Sequence, residues 1–290
     1  MSKKIAIVCD SAGSLTDEMI KKYDIKTSYL MIIFGVESFE EFKELSPSEF
    51  VSKCAAQTEL PSTSQPAIGV TSKLYESIFA EGYEEIIHIS ISSGLSGSYQ
   101  SAVTAAEMVM EEQNKPNTIH VVDSLTVAWP QGSLALSAAQ LVKDGLSSSE
   151  VLTKIDELKS TQHVNASVKT LDNLKKGGRL SNASALLGSM LQIKPIVAMN
   201  EEGKLVPINK VRTFKKALAA LIEAAQDANL DETYEIGIMQ VQNIEDANFV
   251  KAELAKIYPN ININVLPLSL VVSAHVGEGT IGLTWIKKAY

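Results

Sequence analysis

The sequence is poor in the groups on which much protein chemistry is built. Two cysteines, Cys9 and Cys54, in 290 residues are too few for a disulfide framework and too far apart for a zinc or redox pair, so a reducing compartment is expected. The four histidines, His88, His120, His163 and His275, do not recur with carboxylates at ligand spacing on one helix, which suggests no metal site. There is no phosphate-binding loop. No run approaches the ~18 apolar residues of a membrane span, and the apolar run after the amino-terminal lysines stops at Asp10, too soon for a signal peptide. Positive net charge is missing as well: a balance of -8 and a pI near 5.2 argue against bulk attraction to nucleic acid or an anionic membrane. A cytoplasmic protein with a small-molecule or protein partner is expected.

With 45% hydrophobic and 21% charged residues, the chain can fill one large or two moderate cores. Ile5 to Cys9 reads as a strand, followed by Asp10-Ser11-Ala12-Gly13 and a helix carrying Asp17 and Glu18 that Ser14 can cap. Tyr29 to Val36 reads as a second strand, and Ser46-Pro47-Ser48-Glu49 as a capping box opening a helix through Gln57. Strands at Ile86 to Ile91 and Thr118 to Val122 alternate with helices from about Tyr99, Gln131 and Ser148. This alternation predicts a parallel sheet flanked by helices, with the loops from Asp10, Ser92 and Asp123 gathered at the carboxyl ends of its strands. The second half differs. Pro195 to Met199 and Leu205 to Val211 flank Asn200-Glu201-Glu202-Gly203 as a hairpin, and strands Tyr234 to Val241 and Ile261 to Leu266 bracket a helix from Ile244 to Ile257. The expectation is an α/β protein of two lobes, residues 1–160 with the parallel sheet and 161–290 with a mixed sheet and helices.

Several segments suggest chemistry. Gly277-Glu278-Gly279-Thr280-Ile281-Gly282 matches the dinucleotide fingerprint in letters but lacks the following helix and acidic residue. It reads as a loop needing glycine's backbone freedom. Ser93-Gly94-Leu95-Ser96-Gly97-Ser98 misses the nucleophile elbow because Ser98 replaces its second glycine. A serine hydrolase or esterase with His275 as base is the alternative reading, since His88 and His120 fall in strands and His163 reads as a surface residue. The same loop precedes a helix, so its N–H groups and hydroxyls can instead converge on a carboxylate or phosphate. Thr63-Ser64-Gln65-Pro66 reads as either a rigid presenter of hydroxyls or a turn capping the next helix. From Lys169 to Lys216, ten basic residues face three acidic ones, a net +7 that leaves -15 on the rest. Such a segment is either a solvated face or a guide for an anion or acidic partner.

Together with Val122-Asp123-Ser124, Leu174-Lys175-Lys176-Gly177-Gly178-Arg179-Leu180-Ser181, Lys194-Pro195-Ile196, Arg212-Thr213 and His275-Val276-Gly277-Glu278-Gly279, these segments resemble the DegV family of bacterial fatty-acid-binding proteins along nearly the whole chain. The resemblance implies two α/β lobes around an acyl chain, with the carboxylate held at Thr63, Ser96 and Gly97, and with His275 and Arg212 completing the polar end. It implies a lipid-carrying subunit that does no chemistry itself and needs no cofactor beyond its bound long-chain fatty acid. A separate ATP-dependent kinase would convert that acid to an acyl phosphate. The glycine-flexed loop with Lys175, Lys176 and Arg179 suits docking on an acidic kinase surface. One departure stands out: after Asp123-Ser124 the family runs through small residues to its glycine, whereas this chain has Trp129-Pro130-Gln131-Gly132.

Overall fold

The computed structural model describes residues 4–57, 59–181 and 193–290; Met1 to Lys3, Thr58 and the part of the basic segment at 182–192 lie outside it. The first half runs β1 (Ile5–Asp10), α1 (Asp17–Tyr23), β2 (Ile25–Ser28), β3 (Met31–Phe34), β4 (Glu37–Glu40), α2 (Pro47–Ala56), β5 (Ser62–Ser64), α3 (Ile68–Ala80), β6 (Glu85–Ser90), α4 (Ser98–Glu112), β7 (Ile119–Asp123), α5 (Trp129–Lys143) and α6 (Ser148–Lys159). A parallel sheet forms in the order β2-β1-β6-β7. Its central strands, β1 and β6, are buried along their whole length because both faces are covered. Ala6, Val8 and Ile86 pack with Tyr75 and Ile78 of α3 and Ala105 and Val109 of α4. Ile5, Ile7, Ile87 and Ile89 join the opposite core with Trp129 and Leu134 of α5.

Two expectations are corrected here. The strand expected at Tyr29 to Val36 shortens to β3 and leaves the parallel sheet, pairing antiparallel with β4 and β5 in a small sheet of its own. The residue that caps α1 is Thr16, whose hydroxyl accepts from Met19 N–H at 3.3 Å. Ser14 stands too early: it follows a 3-10 turn with φ 54°, and its hydroxyl accepts from Ser269 N–H at 3.1 Å. The capping box at Ser46 and Glu49 forms with both of its hydrogen bonds.

The second half continues with β8 (His163–Ser167), α7 (Asp172–Lys176), β9 (Lys194–Met199), β10 (Leu205–Val211), α8 (Phe214–Asp227), β11 (Tyr234–Gln240), α9 (Ile244–Ile257), β12 (Asn262–Pro267), α10 (Leu270–Val276) and β13 (Ile281–Lys287). These strands form a mixed six-stranded sheet, β10-β9-β8-β13-β11-β12, in which only β11 and β12 run parallel. Strand alternation divides its side chains. Ile236, Ile238, Leu283 and Trp285 pack outward with Leu218 and Leu221 of α8 and Leu254 of α9. Ala166, Val197 and Met239 point the other way, into the core shared with the first half. His163, expected on the surface, begins β8 and stacks on Trp285 with centroids 4.1 Å and planes 10° apart; burial lowers its pKa. Among the described residues no helix is long and apolar enough to cross a membrane.

Candidate ligand-binding site

The carboxyl ends of β1, β6 and β7 meet as the alternation of strands and helices requires. The Asp10 carboxylate, 2% exposed, accepts from Ile91 N–H at 2.8 Å, Ser90 Oγ at 2.8 Å and His88 Nε2 at 3.0 Å. The other ring nitrogen of His88 lies 2.7 Å from the Tyr75 hydroxyl, so the imidazole is spent on holding Asp10. Asp123 Oδ1 accepts from Ser93 N–H at 3.1 Å and Leu125 N–H at 3.0 Å. Both aspartates thus shape the Ser-Gly loop from behind.

That loop is also gripped from the second sheet. The buried Ser92 donates from Oγ to Gly203 O at 2.6 Å, at the tip of the β9-β10 hairpin. Contact is too close for side chains: a Cβ on Gly94 would stand 2.5 Å from Gly203 O, and one on Gly203, whose φ is +69°, would stand 2.2 Å from Ser92 Oγ. The two glycines interlock the halves beside the loop.

Between the inner face of the six-stranded sheet, α10 and these loops lies a narrow cavity of about 90 Å³. Its walls are chiefly aliphatic, among them Leu30, Ile91, Val127, Val197, Val271 and Val276. The floor follows the seam of β8 and β13, where nothing larger than valine or threonine projects: Val164, Ala166, Thr280, Gly282 and Thr284. Thr280 and Thr284 spend their hydroxyls on backbone carbonyls of Gly277 and Gly237, at 2.8 and 3.0 Å.

Polar side chains gather at one end. Thr63, carried by β5, places Oγ1 2.7 Å from Nε2 of His275 on α10. Arg179 follows the Gly177-Gly178 turn after α7, donating from Nε to Leu95 O at 3.2 Å and from Nη1 to Gly177 O at 2.5 Å. A guanidinium has five N–H donors, so three have no partner among the described residues. Ser96 lines the same end, its hydroxyl 2.9 Å from Ser98 Oγ and accepting from Ser98 N–H at 3.2 Å. Burial, and then the Arg179 charge, push the His275 pKa down to about 4; the ring is neutral at pH 7. Behind α10, the fully buried Glu41 accepts from Ser11 Oγ at 2.5 Å and Val271 N–H at 3.0 Å, and burial raises its pKa to about 7.

Of the residues expected at the carboxylate, the structure brings together Thr63, Ser96 and His275. Gly97 stands just outside, exposed at the start of α4, where a Cβ would lie 3.2 Å from Gln65 Nε2. Arg212 does not line the cavity: it is exposed beyond the end of β10, ahead of the α8 cap Thr213. The cation at the polar end is Arg179, expected only as a docking residue. It is shared with an outer hollow that also takes in Thr63, His275 and the exposed Lys176; Lys175, on α7, is half-buried. Position in sequence hid Arg179, though the two glycines before it were a signal that the chain turns there. Thr63-Ser64-Gln65-Pro66 is a strand and its exit, and the cap of α3 is Ala67, without a side-chain hydrogen bond.

An apolar chamber with a cation and hydroxyls at one end suits a molecule that is a hydrocarbon over most of its length and an anion at its tip. Comparison with known proteins bears on this directly. Residues 4–288 match the family described as uncharacterised proteins of the DegV family. The chain belongs to the DegV family. A DegV domain-containing protein of Halalkalibacterium halodurans is 35% identical over 285 residues, 97% of this chain and 98% of that one. Among solved structures, a fatty acid binding DegV family protein of Streptococcus agalactiae superposes with a TM-score of 0.89 at 31% identity, over 99% of this chain and 100% of that one. DegV of Bacillus subtilis, described as a fatty acid binding protein, gives 0.87 at 33% identity, over 99% and 100%. The cavity here is thus set in the family's α/β fold.

Proposed function

We propose that this DegV family member binds a long-chain fatty acid in the cavity, with the acyl chain along the β8-β13 seam and the carboxylate among Thr63, Ser96, Arg179 and His275. The observation that carries the reading is the segregation within one chamber of an aliphatic body from a single end bearing a guanidinium, an imidazole and two hydroxyls. Burying an ionised carboxylate is costly unless donors replace its water, and charge-assisted hydrogen bonds do so best. Affinity then comes from the tail, at about 0.8 kcal/mol per methylene. The proposal extends to a partner: Thr63, Arg179 and His275 also face the outer hollow, so the carboxylate would be presented to an ATP-dependent kinase subunit for conversion to acyl phosphate, with no catalysis by this chain alone. Lys176 beside that hollow is suited to docking on an acidic partner surface.

A hydrolase is less well supported. His275 neighbours Thr63 and a cation, whereas a catalytic base on serine needs an orienting carboxylate, and the Ser96 hydroxyl is engaged with Ser98. The test is to extract the purified protein with organic solvent, look for stoichiometric fatty acid by mass spectrometry, and add the kinase subunit and ATP to the loaded protein. Protein from lipid-replete cells that is empty and takes up no added acid overturns the binding reading. Loaded protein that yields no acyl phosphate with the kinase overturns only the partner.

A further inference from the structure

The polar end leaves one sequence departure unused, Trp129-Pro130-Gln131-Gly132. Trp129 opens α5, is 1% exposed, and lies on the inner face of the six-stranded sheet over Gly237. A Cβ at Gly237 would stand 2.5 Å from the indole Cδ1 and 2.7 Å from Thr284 Oγ1. The cavity's footprint on the sheet shows the effect. Val197, Ala166, Gly282 and Met239 form one row across β9, β8, β13 and β11, and all four line the cavity. In the next row, Val164 and Thr284 line it, but Gly237, their partner on β11, does not. Trp129 does not itself line the cavity; its indole occupies the place on Gly237 just beyond Thr284.

This row is the end remote from the carboxylate site. Thr280 is tied to the end of α10 through Val276 O at 3.1 Å and Gly277 O at 2.8 Å, beside His275. Thr284 lies four residues farther along β13, about 13 Å at the strand rise. On one side of the far end, Val164 separates the cavity from a polar surface hollow that includes Thr126, Gln162 and Asn200, poor surroundings for a methyl terminus. On the other side stands the indole, and beyond it Glu235 is occupied by the hydroxyls of Ser133 and Tyr290. Among the described residues, the apolar direction in which the cavity can lengthen is therefore the space Trp129 fills. Its Nε1 has no hydrogen-bond partner among the described residues, and packing holds the ring there.

Resting on the fatty-acid reading above, we infer that Trp129 is the specificity-determining wall that sets the longest acyl chain this protein accepts. Each methylene buried multiplies affinity by about fourfold. That gain stops when the methyl end reaches the wall. Lipid-stripped wild type and the series Trp129→Phe, Trp129→Leu and Trp129→Ala are titrated with saturated acids from about C12 to about C22, with a cooperative melt identifying the folded variants. The expected result is a limit that moves to longer acids as the side chain shrinks. Two extra buried methylenes would raise affinity for the longest acids about fifteenfold over wild type. If Trp129→Ala does not fold, the leucine and phenylalanine variants carry the comparison. The same length limit in wild type and every folded variant overturns the inference. Wild type that takes up no acid of any length overturns the fatty-acid reading instead.

Discussion

Removal of the Arg179 charge separates the arginine that the structure places at the polar end from the one the sequence suggested. Arg179 spends two of its five donors on Leu95 O and Gly177 O. In the proposed complex the remaining donors would serve a carboxylate that is otherwise buried with hydroxyls alone. Hydrogen bonds to charged groups contribute about 1.5–3 kcal/mol, so Arg179→Gln should weaken fatty acid binding about 10- to 150-fold. Arg212→Gln should leave it unchanged, because Arg212 is exposed and outside the cavity. Displacement of a fluorescent fatty acid measures both. A second readout needs no ligand. The His275 pKa is held at about 4 by burial first and the Arg179 charge second, so in Arg179→Gln its NMR titration should move up part of the way to the ordinary value of about 6.5. Near wild-type affinity in Arg179→Gln together with loss in Arg212→Gln would refute the assignment, as would an unmoved His275 titration.

Thr63→Ala removes the partner 2.7 Å from His275 Nε2 and one hydroxyl from the carboxylate, and should weaken binding by about 1–3 kcal/mol in the same assay. Ser96→Ala should cost less, because that hydroxyl is already engaged with Ser98; equal losses would contradict the difference. Glu41 gives a pH signature: its folded pKa is raised to about 7, above the unfolded value. Its contribution to stability is therefore fully present below about pH 4.5 and lost as pH rises through 7, to the extent of about 3 kcal/mol. Melting of Glu41→Gln should show a shallower decline between pH 5 and 8 than wild type, and parallel declines would refute the raised pKa.

Much of the fold was legible because the parallel strands carry unbroken apolar runs between helix signals, and the loops after Asp10, Ser90 and Asp123 do converge. Elements with weaker patterns were misread for physical reasons. β2, Ile25–Ser28, is a short strand with a lysine in it, and its pairing with β1 is a tertiary matter. β8 looked polar because His163, Asn165 and Ser167 alternate with its apolar face, and β13 was obscured by the glycines before it. In the site, Thr63, Ser96 and His275 were legible as motif residues. Arg179 for Arg212 was a question of which basic residue the chain returns to the cavity, and only the turn at Gly177-Gly178 and the geometry of α7 against α10 decide that. The cavity wall at Trp129 was visible as an oddity without a direction.

The interlock of Gly94 with Gly203 has a consequence for the protein as it is being made. Thr63 and Ser96 leave the ribosome before Arg179, and Arg179 before His275, while chains grow at about 5–20 residues per second. Until the β9-β10 hairpin arrives to take the Ser92 hydrogen bond, 111 positions away, the Ser-Gly loop lacks its second support, and until β13 follows the cavity has no floor. A nascent chain that has released only its first half therefore has hydroxyls but no chamber, and the proposed lipid capture has to wait for the long-range contacts that join the two halves.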